Sequence, residues 1–187
     1  MKVLYISSAL IPSKQANSIH IMKMASALSK NGNDVLLLCR KNSKYEIKNI
    51  FSFYGVKNNF KISYLPYPNI KFGNYIFGFF CFLKTIKFKP NYVIGRFFIG
   101  LFLSSLVCSK VFLELHQPLV GGLNFQRRLL SQLIKFNSFK KLIVISKPLY
   151  EIFNEEFNIP KNKLLVASDA SDAPKFYYEN KFEKSKR

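Results

Sequence analysis

The sequence predicts an α/β protein with a single doubly wound parallel sheet, and three observations carry that prediction. Residues 3–6 and 35–39 are short continuous apolar runs, the mark of strands buried on both faces, whereas half-exposed strands alternate. Between them, Ile21, Met24, Ala25 and Leu28 recur at spacings of three and four, and Asn31-Gly32 follows where a left-handed helix end takes asparagine or glycine. Similar runs alternate with helical patterns along the chain, and such alternation stacks as a parallel sheet covered by helices. With 187 residues, 49% of them hydrophobic, the chain can bury one full core. One domain is expected over residues 1–176, followed by a lysine-rich tail at 177–187.

The first strand–helix connection, residues 8–19, is far longer than is usual there, and an excess of that kind points to a binding loop. Residues 43–54 carry Ile47, Ile50, Phe51 and Tyr54 at helical spacing and are predicted as a surface helix. Residues 60–65 alternate as a strand that Pro66 and Pro68 end, because proline gives no N–H to a ladder. An aromatic helix over 75–88 is closed by Lys89-Pro90. A short strand at 92–94, a buried helix at 98–107 and a strand at 111–115 lead into His116-Gln117-Pro118, and Gly121-Gly122 opens a loop. Residues 125–136 have a basic amphipathic pattern with Arg127, Arg128 and Lys135, and 142–145 form a strand. Pro148 sits where the first turn of a helix tolerates it, and 163–167 is the final strand.

Charge and cysteine usage narrow the class. Lys and Arg total 29 against 10 Asp and Glu, a net charge of +19. Two readings of that excess stand: a surface selected to attract anionic lipid or nucleic acid, or the lysine-rich bias of an adenine- and thymine-rich coding sequence. Cys39, Cys81 and Cys108 stand singly inside apolar runs, with neither disulfide nor metal spacing, and read as core thiols of a reducing compartment. Met1-Lys2 leads into a short strand rather than an apolar leader, so a cytoplasmic protein is expected. Residues 72–83 and 97–109 mimic membrane spans, but lysine or arginine interrupts each before the ~20 residues that a span needs. Both are predicted as buried helices.

In parallel sheets ligands bind at the carboxyl ends of the strands. The residues there are 7–20, Gly95-Arg96, 114–116, Ser146 and 169–172. The only two histidines, His20 at the opening of the first helix and His116 just past a core strand, are both in this set. Each suits proton transfer near neutral pH, and each suits a structural hydrogen bond. Residues 13–18 contain no glycine, which argues against a dinucleotide fingerprint. Asn17 and Ser18 read either as helix caps or as part of a phosphate site at a helix start. No carboxylate or His/Cys cluster suggests a metal.

The ordered set Ile11-Pro12, Asn17-Ser18-Ile19-His20, Met22-Lys23-Met24, Leu28, Gly32, Arg96, Glu114-Leu115-His116, Val144-Ile145-Ser146-Lys147 and Asp169-Ala170-Ser171-Asp172 resembles the amino-terminal domain of family-four glycosyltransferases. That resemblance implies a Rossmann-like sheet, the N-terminal half of a GT-B fold. It implies transfer of a sugar, with retention, from a nucleotide-diphosphate sugar to a surface glycan or lipid-linked acceptor, with no cofactor, no metal and no nucleic acid partner. By the same resemblance His116 and Glu114 are catalytic, and His20, Arg96, Ser13 and Lys14 meet the acceptor. Asn17 and Ser18 approach the donor diphosphate, although the family's paired glycines are replaced there. The family's donor-binding half has no counterpart in the 187 residues. Either the chain is a fragment or truncated product, or a second polypeptide supplies that half, and in both cases apolar surface around Leu119, Val120 and Leu123 is expected to be left exposed. The alternative is a non-catalytic acceptor- or membrane-binding subunit of a split enzyme. An anionic membrane surface, met by the helix at 125–136 from the inner face, completes the expected partners.

Overall fold

The computed structural model describes residues 1–119 and 124–168. The boundary at 176, the tail at 177–187, the 169–172 segment and the Gly121-Gly122 loop lie outside the described residues. The strands are β1 (Lys2–Ile11), β2 (Asp34–Lys41), β3 (Lys61–Tyr64), β4 (Tyr92–Gly95), β5 (Val111–Leu115), β6 (Phe139–Val144) and β7 (Leu164–Val166). They form one seven-stranded sheet in the order β3-β2-β1-β4-β5-β6-β7, every pair parallel. The order reverses between β1 and β4, so loops leaving these two strands diverge and open a crevice at their carboxyl ends.

Alternate residues of β1 serve two cores, as the period of two in a strand requires. Val3 and Tyr5 pack with Val35 and Leu37 under Ile21, Met22 and Ala25 of helix α1 (Ala16–Lys30). Leu4 and Ile6 join Val93, Leu113 and Leu142 in the larger core on the other face. That face is covered by α3 (Gly73–Phe88), α4 (Phe98–Ser104), α5 (Asn124–Lys135) and α6 (Lys147–Phe157), with α2 (Ile50–Phe53) beside α1's core. Cys39, Cys81 and Cys108 are buried and free, as their apolar surroundings in sequence suggest.

β6 starts three residues before its predicted start and the helix predicted over 98–107 ends at Ser104, and two further elements differ more widely from the sequence reading. The strand predicted at 3–6 runs on to Ile11, so the connection to α1 is only residues 12–15, and no long loop exists. Ser7 and Ser8 do not end the strand. Ser7 is buried and its Oγ accepts the Ala9 N–H at 3.1 Å across a local irregularity, after which Leu10 and Ile11 pair with Arg40 and Lys41. The helix predicted over 43–54 is the single turn α2, because the Asn49 side chain accepts from the N–H groups of Phe51 and Ser52 and starts the helix there.

α3 and α4 approach through small side chains. A Cβ added at Gly78 would lie 2.5 Å from Ile99 Cγ2, and Thr85 and Ser104 share a hydrogen bond of 2.8 Å. The helix predicted as buried at 72–83 is buried on that side only, and its opposite face is exposed. Leu119, expected at the surface, is buried, and Val120 and Leu123 lie outside the described residues.

Candidate functional site

Four side chains meet at the crevice, delivered by three segments of the chain. Glu114 comes from the end of β5 and His116 from two residues later, on the same side as a strand's period dictates. Arg96 follows β4, where its own N–H donates to the Ile6 carbonyl at 3.1 Å. Gly95 makes that close approach possible, because a Cβ there would strike the carbonyl oxygen of Ile6. His20 is the fifth residue of α1, fixed by the helix rather than carried on a loop.

Glu114 is 5% exposed and accepts at both oxygens. Its Oε1 lies 3.0 Å from His20 Nε2, 2.7 Å from Arg96 Nη2 and 2.6 Å from His116 Nε2, while Oε2 accepts the Tyr5 hydroxyl at 3.1 Å. The two imidazole rings stand edge to face, with centroids 4.9 Å apart. Burial by itself would raise the Glu114 carboxyl. The hydrogen bonds from His20, Arg96 and His116, with the Arg96 charge, outweigh it and hold the group well below the usual carboxylate range. Tyr5 is pushed well above the usual tyrosine value, by burial first and then by the charge of Glu114.

Three donors on one carboxylate oxygen exceed its two lone pairs. His116 Nε2 also touches Arg96 Nη2, and one ring nitrogen cannot donate to Glu114 and accept from Arg96 at once. Arg96 Nε is buried with no hydrogen-bond partner among the described residues. Such a site suits a hydroxyl-rich or anionic ligand, which brings acceptors. His20, Glu114 and His116 also place their ligating atoms within 4.8 Å of one another, a metal-like grouping that the sequence did not reveal. Arg96 already sets a fixed positive charge on the same carboxylate oxygen, so this donor set fits a cation poorly.

A cavity of about 490 Å³ opens onto the cluster, lined by Asn17, His20, Arg96, Glu114, His116 and Gln126 among others. Asn17 accepts from Arg96 Nη1 at 3.0 Å and faces this cavity from inside the helix, not as its cap. Ser18 is likewise no cap: it is buried, and its hydroxyl donates to the Leu10 carbonyl at 3.1 Å. Ser13 is clasped by Tyr54, whose hydroxyl accepts from the Ser13 N–H at 2.6 Å and donates to its carbonyl at 2.9 Å. Lys14 is exposed beside it, and neither lines this cavity. Tyr5 is the member that sequence reasoning missed. The available signal was a phenol inside an aliphatic run, whose hydroxyl must find a buried partner.

No family model and no curated protein matches the chain. Among solved structures, UDP-GlcNAc 2-epimerase from Neisseria meningitidis bound to UDP-GlcNAc aligns with a TM-score of 0.65 at 15% identity, over 89% of this chain and 45% of that one. A glycosyltransferase from Rickettsia africae aligns at 0.59 and 13% identity, over 89% and 42%. A sucrose-phosphate synthase chain from Thermosynechococcus elongatus aligns at 0.60 and 10%, over 92% and 91%. Against the epimerase and the Rickettsia enzyme, the chain spans less than half of the matched protein's length. At these identities the likeness shows the fold: a Rossmann-like parallel sheet shared with GT-B glycosyltransferases and nucleotide-sugar epimerases. It does not single out family four.

Proposed function

We propose that this chain is the acceptor-side half of a family-four glycosyltransferase that moves a sugar, with retention, from a nucleotide-diphosphate donor to a glycan or lipid-linked acceptor. The observation that carries the reading is the His20, Arg96, Glu114 and His116 cluster in a cavity at the carboxyl edge of the sheet. In this reading His116 faces the reacting sugar and handles its proton, and Glu114 holds the ring at Nε2. Arg96, whose buried Nε–H has no hydrogen-bond partner among the described residues, takes an anionic or hydroxyl-rich part of the ligand, and His20 shapes the acceptor pocket. Asn17 lies closest to a donor diphosphate. Residues outside these 187, on the same or a second polypeptide, supply the donor-binding wall, and no metal or further cofactor takes part.

A second reading, a non-catalytic subunit that presents an acceptor, draws on the chain's match to less than half of two epimerases and of the Rickettsia enzyme. One experiment separates the two. The chain is joined to a donor-binding half and offered UDP-glucose, UDP-GlcNAc and GDP-mannose with a glycan acceptor, and nucleoside diphosphate release and labelled product are followed. The first reading expects turnover that requires both halves and falls when Arg96 becomes alanine. Turnover indifferent to Arg96→Ala, His20→Ala and His116→Ala together assigns the chemistry elsewhere and leaves the second reading.

A further inference from the structure

The outward face of α3 carries a stripe that a solitary soluble domain does not need. Phe72, Tyr75, Phe79, Leu83 and Ile86 are each 42–60% exposed. Their spacings of three, four, four and three gather them within roughly 80° of the helix surface at 3.6 residues per turn. The opposite side, with Phe77, Gly78, Cys81 and Thr85, faces the core. Phe125, at the start of α5 and 46% exposed, sets its ring 5.8 Å from that of Tyr75 and widens the patch. Single exposed apolar residues are ordinary, but a contiguous row marks an interaction surface.

The surrounding charge says what covers it. Between Glu46 and Glu114 the chain has no acidic residue and nine lysines and arginines. Lys71, at the start of α3, and Lys87 and Lys89, at its end, are all exposed. A second copy of this chain would bring the same excess of positive charge against it. An anionic bilayer supplies both complements, an apolar boundary for the aromatic rings and phosphates for the lysine heads.

We propose that α3 is an interfacial helix whose Phe72–Ile86 stripe seats in the surface of an anionic membrane. This inference stands on exposure and charge and is independent of the sugar-transfer reading. It moves the membrane contact expected on α5, because that helix spends its apolar side on the core through Leu130 and Leu133. Arg127 is likewise engaged, donating to the Leu119 carbonyl and to Glu156 and lying over the Phe157 ring. No helix of the described residues is long and apolar enough to cross a membrane, so contact at the surface is the mode available to α3. A smaller cavity of about 210 Å³ is lined both by Tyr75 and Phe125 of the patch and by Arg96 of the cluster. A ligand carried in the bilayer would therefore lie beside the cluster.

The protein has no tryptophan, so Phe79→Trp gives a single reporter in the middle of the stripe. It is mixed with phosphatidylcholine vesicles, with and without a one-third share of phosphatidylglycerol. Sedimentation with the anionic vesicles only, loss of binding as salt rises and a blue shift of the tryptophan emission are expected. The Phe79→Ser/Leu83→Ser variant should bind at least about tenfold more weakly, while Lys71→Gln/Lys87→Gln should bind more weakly at low salt and lose less of its binding as salt rises. These changes replace exposed groups, and unchanged circular dichroism and melting confirm that the variants fold. Equal binding to neutral vesicles, binding without a blue shift, or no binding to anionic vesicles overturns the proposal. So does a lipid-free dimer, seen by light scattering, that Phe79→Ser/Leu83→Ser dissolves.

Discussion

Glu114 decides the character of the site, because one buried carboxylate organises two imidazoles, a guanidinium and a phenol. Its lowered carboxyl has a consequence for stability. Unfolded, the group titrates near pH ~4.3. Folded, it titrates lower, so the stabilisation it gives is fully present above that value and is lost as pH falls below about 4 through the folded value. Glu114→Gln should therefore cost about 1.5–3 kcal/mol at pH 7, the worth of hydrogen bonds to a charged group, and should flatten the acid limb of the stability curve. Urea unfolding from pH 7 down to pH 3 reads both effects; a variant with the wild-type acid limb would show that another group carries it. At this scale much of the site was legible. His20, Arg96, Glu114 and His116 all follow from asking what stands at the carboxyl ends of predicted strands. Ser13 and Lys14 entered because the first connection was read as a long loop, and once β1 runs to Ile11 they fall in a tight turn, with Ser13 held by Tyr54.

The elements were legible where burial fixes them and illegible where a single hydrogen bond does. All seven strands are present in the sequence as apolar or alternating runs, because parallel strands covered on both faces favour apolar residues, whereas Lys140 and Lys141 hid the first half of β6. The end of β1 was not, since Ser7 reads as polar and only the fold shows its hydroxyl turned onto the Ala9 N–H. The start of α2 was also hidden, since the Ile47–Tyr54 spacing suits a helix but Asn49 caps it at Ile50. Two glycines test how the elements are pressed together. At Gly95 an added methyl meets the Ile6 backbone, whereas at Gly78 it meets the side chain of Ile99. Gly95→Ala should be the more damaging, beyond the about 1–3 kcal/mol of ordinary overpacking, and should displace Arg96. Gly78→Ala should cost about 1–3 kcal/mol, a fall of several degrees in Tm for a chain of this size. Thermal melts rank them, and an order of Gly78→Ala below Gly95→Ala would contradict this packing.

At the scale of the molecule, the parallel sheet was the firmest expectation and is what the fold neighbours share. The strand order places the β1–β4 reversal beside the cluster, so topology and chemistry agree on one edge. In the proposed half-site reading that edge is a single wall. Holding two substrates in register supplies much of an enzyme's rate, and one wall cannot do it. The isolated chain should therefore release no nucleoside diphosphate in sustained turnover from a panel of sugar nucleotides, and steady release by it alone would refute the half-site reading. The excess of basic charge was equally visible in sequence. The position of the apolar stripe was not, because which face of the aromatic helix α3 stays exposed depends on the partner it packs against, here α4.

The most direct test of the sugar-transfer account compares the two histidines in the assembly with a donor-binding half. His116→Ala should lower kcat by roughly the 10²–10⁴-fold of a positioned proton-transfer group, and His20→Ala should chiefly raise the KM for the acceptor. If His116→Ala keeps near-normal kcat while its melting temperature falls, the ring is a structural partner of Glu114 and the account is wrong.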